Sequence, residues 1–292
     1  MNDHRLWIAA TALSAPATLC LIALLFMPVI AVFALALTDW QFGASTARFI
    51  GLRNFAEMLG DDTFRRSLIN TAIYVAVVVP AVVVLGFLVA SAIEAHRSLR
   101  SFYRSIHFLP VLATLASMAV AWEALLHPTI GPINEALVSM GLSRRNWLGD
   151  ADLVVPVLCV IGVWQHLGYA MVLFIAGLKA IPQDLYDAAE VDGVETAIDR
   201  AFRVTLPMLG PVTMFIIIVV ALKAFEVFDT VRVLTRGGPG DASEMLLHTL
   251  YVESFEFFRT GYGSALTVIF LLVVVTLTLI QARILDRRVH YS

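Results

Sequence analysis

The chain has 292 residues, of which 59% are hydrophobic and 15% charged, and its formal net charge is −3 at pH 7. A mean hydropathy of +0.83 is typical of a chain that lies largely in lipid, and the small negative charge offers nothing to a nucleic-acid backbone. The two cysteines, Cys20 and Cys159, stand inside apolar runs, so the sequence predicts neither a disulfide framework nor a metal site.

Apolar runs of about 20 residues, the length of a helix that crosses a bilayer, recur along the chain. The predicted spans are residues 13–37, 67–93, 108–126, 153–178, 206–228 and 260–282. The first run is longer than the core of a signal peptide, and we expect it to be retained as a span. The sequence therefore predicts an all-α polytopic membrane protein with six transmembrane helices. Residues 1–66 hold the first span and its outer loop, and 286–292 form a tail.

The basic residues indicate the orientation. Lys and Arg are almost equally numerous on the two sides, so their density close to the spans decides. The segment 96–104 is short, basic and free of acids, and an Arg cluster at 283–288 follows the last span closely. Placing both segments in the cytoplasm predicts cytoplasmic N- and C-termini and outer loops at 39–66, 127–152 and 229–259.

The polar stretch between the fourth and fifth spans is patterned as a helix–turn–helix. Pro182 suits the first turn of a helix, because the N–H group that it lacks would be unpaired there anyway. Gly193 can end this helix in the left-handed conformation. The small side chains of Ala188 and Ala189 lie at neighbouring positions, where another surface could approach closely.

A second amphipathic helix is predicted after that turn. Its apolar stripe consists of Val194, Ala197, Ile198, Ala201 and Phe202. Leu206-Pro207 is expected to end the helix before the next span, since Pro removes a helical hydrogen bond. Considered alone, the two helices are also compatible with an ordinary amphipathic segment at the membrane surface.

The same stretch resembles the EAA loop of the permease subunits of bacterial ATP-binding-cassette (ABC) importers. The usual form of that loop is Glu-Ala-Ala, three residues, Gly, nine residues and Ile-x-Leu-Pro. This chain has Asp187 for Glu, Val204 for Ile, and ten residues rather than nine after Gly193. The resemblance implies that residues 183–207 dock into a cytoplasmic ATPase. The implied coupling residues are Asp187, Ala188, Ala189, Asp192, Gly193, Leu206 and Pro207.

A second signature follows the fifth span, between Phe225 and Pro239. Its core, Phe-Asp and then Leu-Thr-x-Gly-Gly-Pro, resembles carbohydrate-uptake permeases of the maltose and glycerol-3-phosphate type, in particular the first of their two permease subunits. The resemblance implies a bacterial inner-membrane subunit that imports a sugar or sugar derivative, with residues 67–285 as the transmembrane domain of an ABC importer of type 1. The implied partners are a second homologous permease, two copies of a cytoplasmic ABC ATPase, an extracytoplasmic solute-binding protein and membrane lipid.

Motifs for covalent chemistry do not occur in the sequence. Neither Lys179 nor Lys223 belongs to a phosphate-binding loop, and there is no HExxH or GxSxG motif. We therefore expect a transport subunit without catalytic residues, cofactor or metal, whose ATP is bound by partner subunits.

Polar residues inside the spans are the candidates for a solute path, because polar groups in lipid are costly. In the fourth span Gln165 and Tyr169 share a face, with His166 beside them. An amide and an aromatic plate suit the hydroxyl groups and the apolar face of a sugar, and in the resemblance Tyr169 matches a sugar-contacting tyrosine. A set of interhelical hydrogen bonds is the alternative.

Lys223 and Glu226 stand three residues apart in the fifth span. We favour an ion pair between them, which would neutralise both charges within the helix. The alternative is that Lys223 binds a phosphate, sulfonate or carboxylate group of the solute. Glu123, in the third span, is expected to partner a neighbouring helix.

Two other functions remain open on the sequence. Glu123, Glu226 and His166 could relay protons in an autonomous proton-coupled secondary transporter, which would need no ATPase. A purely structural membrane scaffold is the third possibility, and it would not depend on Gln165 or Tyr169.

Overall fold

In the computed structural model, the residues described are 3–95, 100–194 and 196–288. These ranges are mostly helical and contain no strand beyond an isolated antiparallel bridge between Thr38 and Phe49, so the all-α prediction is confirmed. Of the predicted cytoplasmic segment 96–104, residues 96–99 lie outside the described part of the chain. The same holds for residues 289–292 of the predicted tail.

Fifteen α-helices are described. They are α1 (Asp3–Leu21), α2 (Met27–Ala36), α3 (Arg53–Leu59), α4 (Asp62–Ala95), α5 (Arg100–Leu112), α6 (Leu115–Leu125), α7 (Pro132–Ser139), α8 (Val154–Ala180), α9 (Gln183–Val191), α10 (Ala197–Arg200), α11 (Leu206–Met208), α12 (Gly210–Phe225), α13 (Asp229–Leu234), α14 (Leu246–Tyr251) and α15 (Thr260–Arg288). Three π-helical turns follow α1, α10 and α14, at Ile22–Phe26, Ala201–Thr205 and Val252–Glu256.

Five stretches in the described ranges are long and apolar enough to cross a membrane as helices. They are Thr11–Ala36, Asp62–Ala95, Val154–Ala180, Gly210–Leu234 and Thr260–Gln281. Each overlaps one of the predicted spans, and only the third predicted span has no single helix of this kind.

The predicted third span, 108–126, is bent. α5 and the residues Ser117–Leu125 of α6 meet at 106°. Pro110 inside α5 has no N–H to donate, and Thr114 begins α6 anew as its N-cap, accepting a hydrogen bond from the Ser117 N–H at 3.4 Å. The described residues therefore hold five spans, or six if the bent pair forms one.

The chain forms two compact units. The first consists of Met1–Asp62 and Thr249–Val273, and the second of Thr63–His248 and Val274–Ser292. The sequence predicts a division into 1–66, 67–285 and 286–292. In that division the last helix, up to residue 285, belongs to the second part. In the structure the beginning of α15 belongs to the first unit and its remainder to the second.

In the first unit, the buried Asn54 joins α3 to the end of α2. Its amide donates to the carbonyl groups of Ala36 at 2.8 Å and Thr38 at 2.9 Å, so it satisfies acceptors that a helix end leaves without partners. Ala36 also packs with Ala265 and Val268 of α15. One amide thus fixes the end of the first span.

Arg259 organises the charged side of the first unit. Its guanidinium pairs with Glu253 at 3.0 Å and with Glu57, and it lies 4.3 Å from the centre of the Tyr262 ring. Burial raises the pKa of the Glu253 carboxyl, and the charge of Arg259 opposes this rise. The Tyr262 hydroxyl donates to Asp61 at 2.6 Å. These contacts connect α3 to the first turn of α15.

In the second unit, α4, α8 and α12 share one apolar core. Val78 and Val82, one turn apart in α4, are fully buried there. Gly86 lies where α4 crosses α8, and a Cβ at this position would stand 2.9 Å from the Cβ of Ala170. Small residues at such a crossing let membrane helices approach closely, so α4 and α8 pack tightly at this point.

The helical path into the fifth span differs from the prediction. α10, the π-helical turn and α11 run on through Leu206 and Pro207, and the interruption comes at Leu209. Pro207 is accommodated directly after the π-helical turn, in which the Leu206 N–H bonds to the Ala201 carbonyl five residues back. The expectation that Leu206-Pro207 ends the second helix is therefore wrong.

Candidate functional site

A cavity of about 530 Å³ lies in the second unit. α4, α5, α8 and α12 contribute to its wall, together with the segment that follows α12. The lining residues are Tyr74, Pro110, Val111, Ala113, Gln165, His166, Tyr169, Val219, Val220, Lys223, Glu226, Val227, Phe228, Asp229 and Thr230. A volume of this size and a mostly apolar wall with a few polar groups are typical of a small-molecule site.

All five residues predicted for the solute path line this cavity. Gln165, His166 and Tyr169 come from α8, whereas Lys223 comes from the last turn of α12 and Glu226 directly follows that helix. The structure thus brings two separate parts of the sequence to one surface. Their role in binding a solute stays a prediction.

The ion pair favoured for Lys223 and Glu226 is not formed. α12 ends at Phe225, and the Glu226 N–H still bonds to the Leu222 carbonyl at 3.1 Å, so the backbone spacing alone does not bring the two side chains together. Within the described part of the chain, no ion pair or hydrogen bond holds the Lys223 ammonium. It lines the same cavity as His166. The favoured interpretation is therefore wrong, and the lysine faces the cavity.

Glu123 does not partner a neighbouring helix as expected. It is exposed on α6 and does not line the cavity, and its carboxylate has no partner among the residues that the structure describes. The adjacent Trp122 packs edge-on against Trp164 of α8, with ring centroids 5.5 Å apart. Because α6 turns away after the bend, it contacts α8 through the Trp122 ring, and the Glu123 carboxylate lies outside the cavity.

Gly168 allows α5 to reach the cavity. A Cβ at Gly168 would collide with the carbonyl group of His107, so α5 and α8 touch through their backbones. This crossing brings Pro110, Val111 and Ala113 to the wall at the point where α5 ends. Non-helical backbone at membrane depth is tolerated where it lines a cavity. The solute path predicted from the sequence did not include these three residues. The one signal for them in the sequence was Pro110, a proline within an apolar run.

The coupling loop, residues 183–207, begins with a helix whose end is fixed as predicted. Gly193 has φ +84°, and its N–H donates to the Glu190 carbonyl at 3.1 Å. The Val194 N–H reaches back to the Ala189 carbonyl at 2.9 Å, which completes a Schellman motif. Ala189 and Val194 are both buried by this arrangement.

The other predicted coupling residues lie on the surface of the loop. Asp187, Ala188, Asp192 and Pro207 are exposed, and Leu206 is half-buried. The large apolar side chains Val191, Ile198 and Phe202 are 88%, 71% and 68% exposed. The sequence placed Ile198 and Phe202 on an apolar stripe but did not show that this stripe is uncovered. Exposed apolar groups of this size on one loop are typical of a docking surface for another protein.

Polar contacts hold the two halves of the coupling loop together. Tyr186 of α9 and Thr205 of the π-helical turn share a hydrogen bond of 3.2 Å between their hydroxyl groups. The Arg200 guanidinium lies 3.9 Å from the Glu190 carboxylate. The loop is therefore a folded element that can transmit a displacement.

Both ends of the coupling loop connect to helices of the cavity wall. α8 ends at Ala180 and α9 begins at Gln183, so the link between them is short. On the return side, Leu209 and Val212 pack on Gly177 of α8, and a Cβ at Gly177 would stand 2.7 Å from Cδ2 of Leu209. Because the fit is this close, a movement of the loop reaches α8 and α12 together.

Comparison with known proteins assigns the family. Residues 55–291 match the family described as binding-protein-dependent transport system inner membrane component. The chain is 31% identical over 262 residues to a probable ABC transporter permease protein, YurN, of Bacillus subtilis strain 168, with 88% of this chain and 89% of that protein covered. It is 30% identical over 284 residues to the sn-glycerol-3-phosphate transport system permease protein UgpA of Agrobacterium fabrum, with coverage of 96% and 95%.

Solved structures share the fold. A bacterial ABC transporter involved in the import of the acidic polysaccharide alginate has a chain that is 21% identical, with a TM-score of 0.84 and coverage of 97% and 96%. A chain of the alginate transporter in complex with an alginate pentasaccharide-bound periplasmic protein gives 0.82 at 20% identity. The resemblance inferred from the coupling loop is thereby confirmed. This chain belongs to the multi-pass inner-membrane permease components of binding-protein-dependent ABC transport systems.

Proposed function

We propose that this chain is the first of two permease subunits in an ABC importer for a sugar or sugar derivative. A relative named for sn-glycerol-3-phosphate transport and a structural neighbour that imports an acidic polysaccharide support this class of solute. The neighbour's complex with a sugar-bound periplasmic protein supports delivery by a solute-binding protein. A second homologous permease and two copies of an ABC ATPase complete the proposed transporter.

In this proposal the partner subunits supply the energy. The sequence has no phosphate-binding loop, so the chain carries no ATPase site and needs no cofactor of its own. Both termini and the coupling loop face the cytoplasm of a bacterial cell, which agrees with the density of basic residues beside the spans. The outer loops then face the solute-binding protein.

The observation that carries the proposal is the continuity between the coupling loop and the cavity. The loop leaves from α8 and returns to α12, and these two helices supply half of the polar residues in the lining. Its exposed Val191, Ile198 and Phe202 offer an apolar contact to an ATPase. A loop that merely lay on the membrane would not need the close packing of Leu209 on Gly177.

In the proposed mechanism, closure of the ATPase subunits on ATP displaces the coupling loop. α8 and α12 move with it, and the cavity that they share opens alternately to the two sides. A solute shifts this equilibrium only if it binds the two states differently. Residues that move with these helices, such as Tyr169 on α8 and Lys223 on α12, change their spacing to the rest of the cavity wall and so distinguish the states.

The cavity lining suits a sugar, and among its charged residues Lys223 is the one that can bind an anionic group. Tyr169 offers an aromatic face to the apolar side of the ring, and Gln165 offers an amide to its hydroxyl groups. Lys223, to which no described carboxylate is paired, supplies charge for a phosphate, sulfonate or carboxylate. Glu226 and Asp229 can accept hydrogen bonds from further hydroxyl groups.

The energy source of uptake tests the proposal. Proteoliposomes that hold the whole transporter receive the solute-binding protein with its co-purified sugar, and uptake is measured with and without luminal ATP and with a protonophore. We expect uptake to require ATP and to survive the protonophore. Uptake that does not require ATP and is abolished by the protonophore would establish a secondary transporter instead.

Neither alternative function gains support from the cavity. Of the three groups in the hypothetical proton relay, His166 and Glu226 line the cavity and Glu123 does not. A structural scaffold predicts that Gln165→Ala and Tyr169→Ala leave uptake intact, whereas the importer predicts a loss for both.

A further inference from the structure

Tyr74 of α4 is a polar residue of the cavity that the predicted solute path did not include. Its side chain is only 2% exposed and belongs to the core of the second unit, yet it lines the cavity. Among the residues that the structure describes, its hydroxyl group has no hydrogen-bond partner. Buried hydroxyl groups are normally paired, because leaving one without a partner costs its hydration energy. The Tyr74 hydroxyl oxygen is not fully enclosed by protein, so its unused hydrogen-bonding capacity opens into the cavity.

Gly162 of α8 makes room for this hydroxyl group. A Cβ at Gly162 would overlap the Tyr74 hydroxyl oxygen. Gly162 precedes Gln165 by three residues, His166 by four and Tyr169 by seven, which places all of them on one face of α8. The Tyr74 hydroxyl therefore extends the row of polar groups by one turn, in a position where α8 itself has no side chain.

We propose that Tyr74 contacts the solute, with its hydroxyl group entering the cavity over Gly162 and bonding to an oxygen atom of the sugar. This inference rests on the proposed function, because it takes the cavity to be the solute path. A phenol both donates and accepts, which matches the hydroxyl groups of a sugar. Water fills the place of the partner when the cavity is empty, and a solute oxygen fills it during transport.

The position of Tyr74 gives the site a third helix. Tyr169 belongs to α8, Lys223 to α12 and Tyr74 to α4, so a solute in the cavity is contacted from three elements. The ring of Tyr74 is held in the core together with Val78 and Val82, which fixes the hydroxyl group in space. A rigidly placed hydroxyl group discriminates between sugars that differ in the orientation of one oxygen, since a misplaced oxygen leaves a buried polar group unpaired.

Thiol labelling tests whether position 74 faces the path. In the assembled transporter Cys20 is replaced by Ser and Cys159 by Ala, and Tyr74→Cys, Gln165→Cys and Val78→Cys are then made singly. Val78 is the matched control, because it lies one turn along α4, is fully buried and does not line the cavity. The probes are two small methanethiosulfonates, one with a sulfonate group and one with a trimethylammonium group.

We expect the Tyr74→Cys and Gln165→Cys variants to be modified and the Val78→Cys variant to stay unreactive. If Gln165→Cys reacts and Tyr74→Cys does not, the inference is wrong while the path stands. If neither reacts, the cavity is not the solute path and the proposed function loses its binding site.

Tyr74→Phe removes the hydroxyl group and keeps the ring in the core. Because the protein gives this group no partner, the melting temperature of the transporter should not fall. ATP-driven uptake, with the solute-binding protein and its co-purified sugar as the probe, should fall about five- to tenfold at limiting concentration. Unchanged uptake, or a lowered melting temperature that reveals a protein partner, would overturn the inference alone. Failure of the parent chain to take up the sugar would overturn the proposed function.

Tyr262→Phe is the matched control for this substitution. The Tyr262 hydroxyl group is bonded to Asp61 at 2.6 Å, and the residue lies outside the cavity lining. Its removal should lower the melting temperature and leave uptake per folded transporter unchanged. Tyr74→Phe should thus lower uptake but not the melting temperature, and Tyr262→Phe should lower the melting temperature but not uptake. This difference distinguishes a hydroxyl group that contacts the solute from one that bonds within the protein.

Discussion

The substitution Gly193→Ala strains the end of α9 without creating a steric clash. Gly193 has φ +84°, and a Cβ there would meet no atom within 4 Å. The cost is therefore that of the left-handed conformation, about 1–2 kcal/mol for a residue with a Cβ. If the free loop of the variant relaxes from this conformation and the docked loop requires it in full, ATPase binding weakens by about 5- to 30-fold.

A series of substitutions at position 193 imposes increasing backbone strain. Gly193→Asn, Gly193→Ala and Gly193→Val should weaken ATPase binding in that order, because Asn tolerates a positive φ best and a β-branched residue least. Gly193→Pro cannot adopt a positive φ and should abolish ATPase association while the chain still inserts into the membrane. The assay is the dissociation constant of the purified ATPase for the two permeases in nanodiscs, with membrane yield measured separately.

Gly141 provides the matched control in a predicted outer loop. It has φ +79° with nothing within 4 Å of an added Cβ. It also ends α7 with the same pair of hydrogen bonds, from its own N–H to Val138 and from the Leu142 N–H to Leu137. Gly141→Ala imposes the same strain and should leave ATPase binding unchanged. Equal effects of the two Ala substitutions, or a wild-type yield of ATPase with Gly193→Pro, would refute the docking role.

Lys223→Met should reduce uptake of an anionic sugar about 10- to 100-fold and spare a neutral one, because a hydrogen bond to a charged group contributes about 1.5–3 kcal/mol. Equal transport of both labelled sugars by the variant would show that Lys223 does not bind the anionic group. Ile198→Ser and Phe202→Ser should each weaken ATPase binding, since burying such a side chain contributes about 1.5–3 kcal/mol. Met140→Ser, at a position that is 75% exposed outside the coupling loop, should have no effect on the same dissociation constant. Asn54→Ala leaves two carbonyl groups at the end of α2 without their buried donor and should lower the melting temperature by several degrees. An unchanged melting curve would show that water replaces the amide.

The membrane helices were predictable because lipid leaves few options for the backbone. A span must pair its own N–H and C=O groups, so the length of each apolar run indicates a helix. The bend between α5 and α6 was not predictable in this way, because a proline such as Pro110 does not by itself break a span, as the uninterrupted α4 with Pro80 shows. The same limit applies to Leu206-Pro207, where the π-helical turn lets the helix continue.

The site could be predicted where a polar side chain interrupts an apolar run. Gln165, His166 and Tyr169 stand out for this reason, and the structure places them on one cavity. The Lys223–Glu226 pair was predicted wrongly because spacing in the sequence does not show how the two side chains are oriented, and in the structure both line the cavity without pairing. Tyr74 was missed because a tyrosine in an apolar run is usually a core residue. The role that we propose for Tyr74 depends on the space that Gly162 leaves on α8.

The central claim is that force on the coupling loop moves α8 and α12 around the cavity. Access to the cavity in the two nucleotide states tests it most directly. In the assembled transporter with Gln165→Cys as its only reactive cysteine, labelling by an external methanethiosulfonate is timed before and after trapping with ATP and vanadate. The account predicts different rates in the two states. With Gly193→Pro, which keeps the ATPase from docking, addition of ATP and vanadate should leave the rate unchanged. Identical rates in both states of the transporter with an intact loop would contradict it.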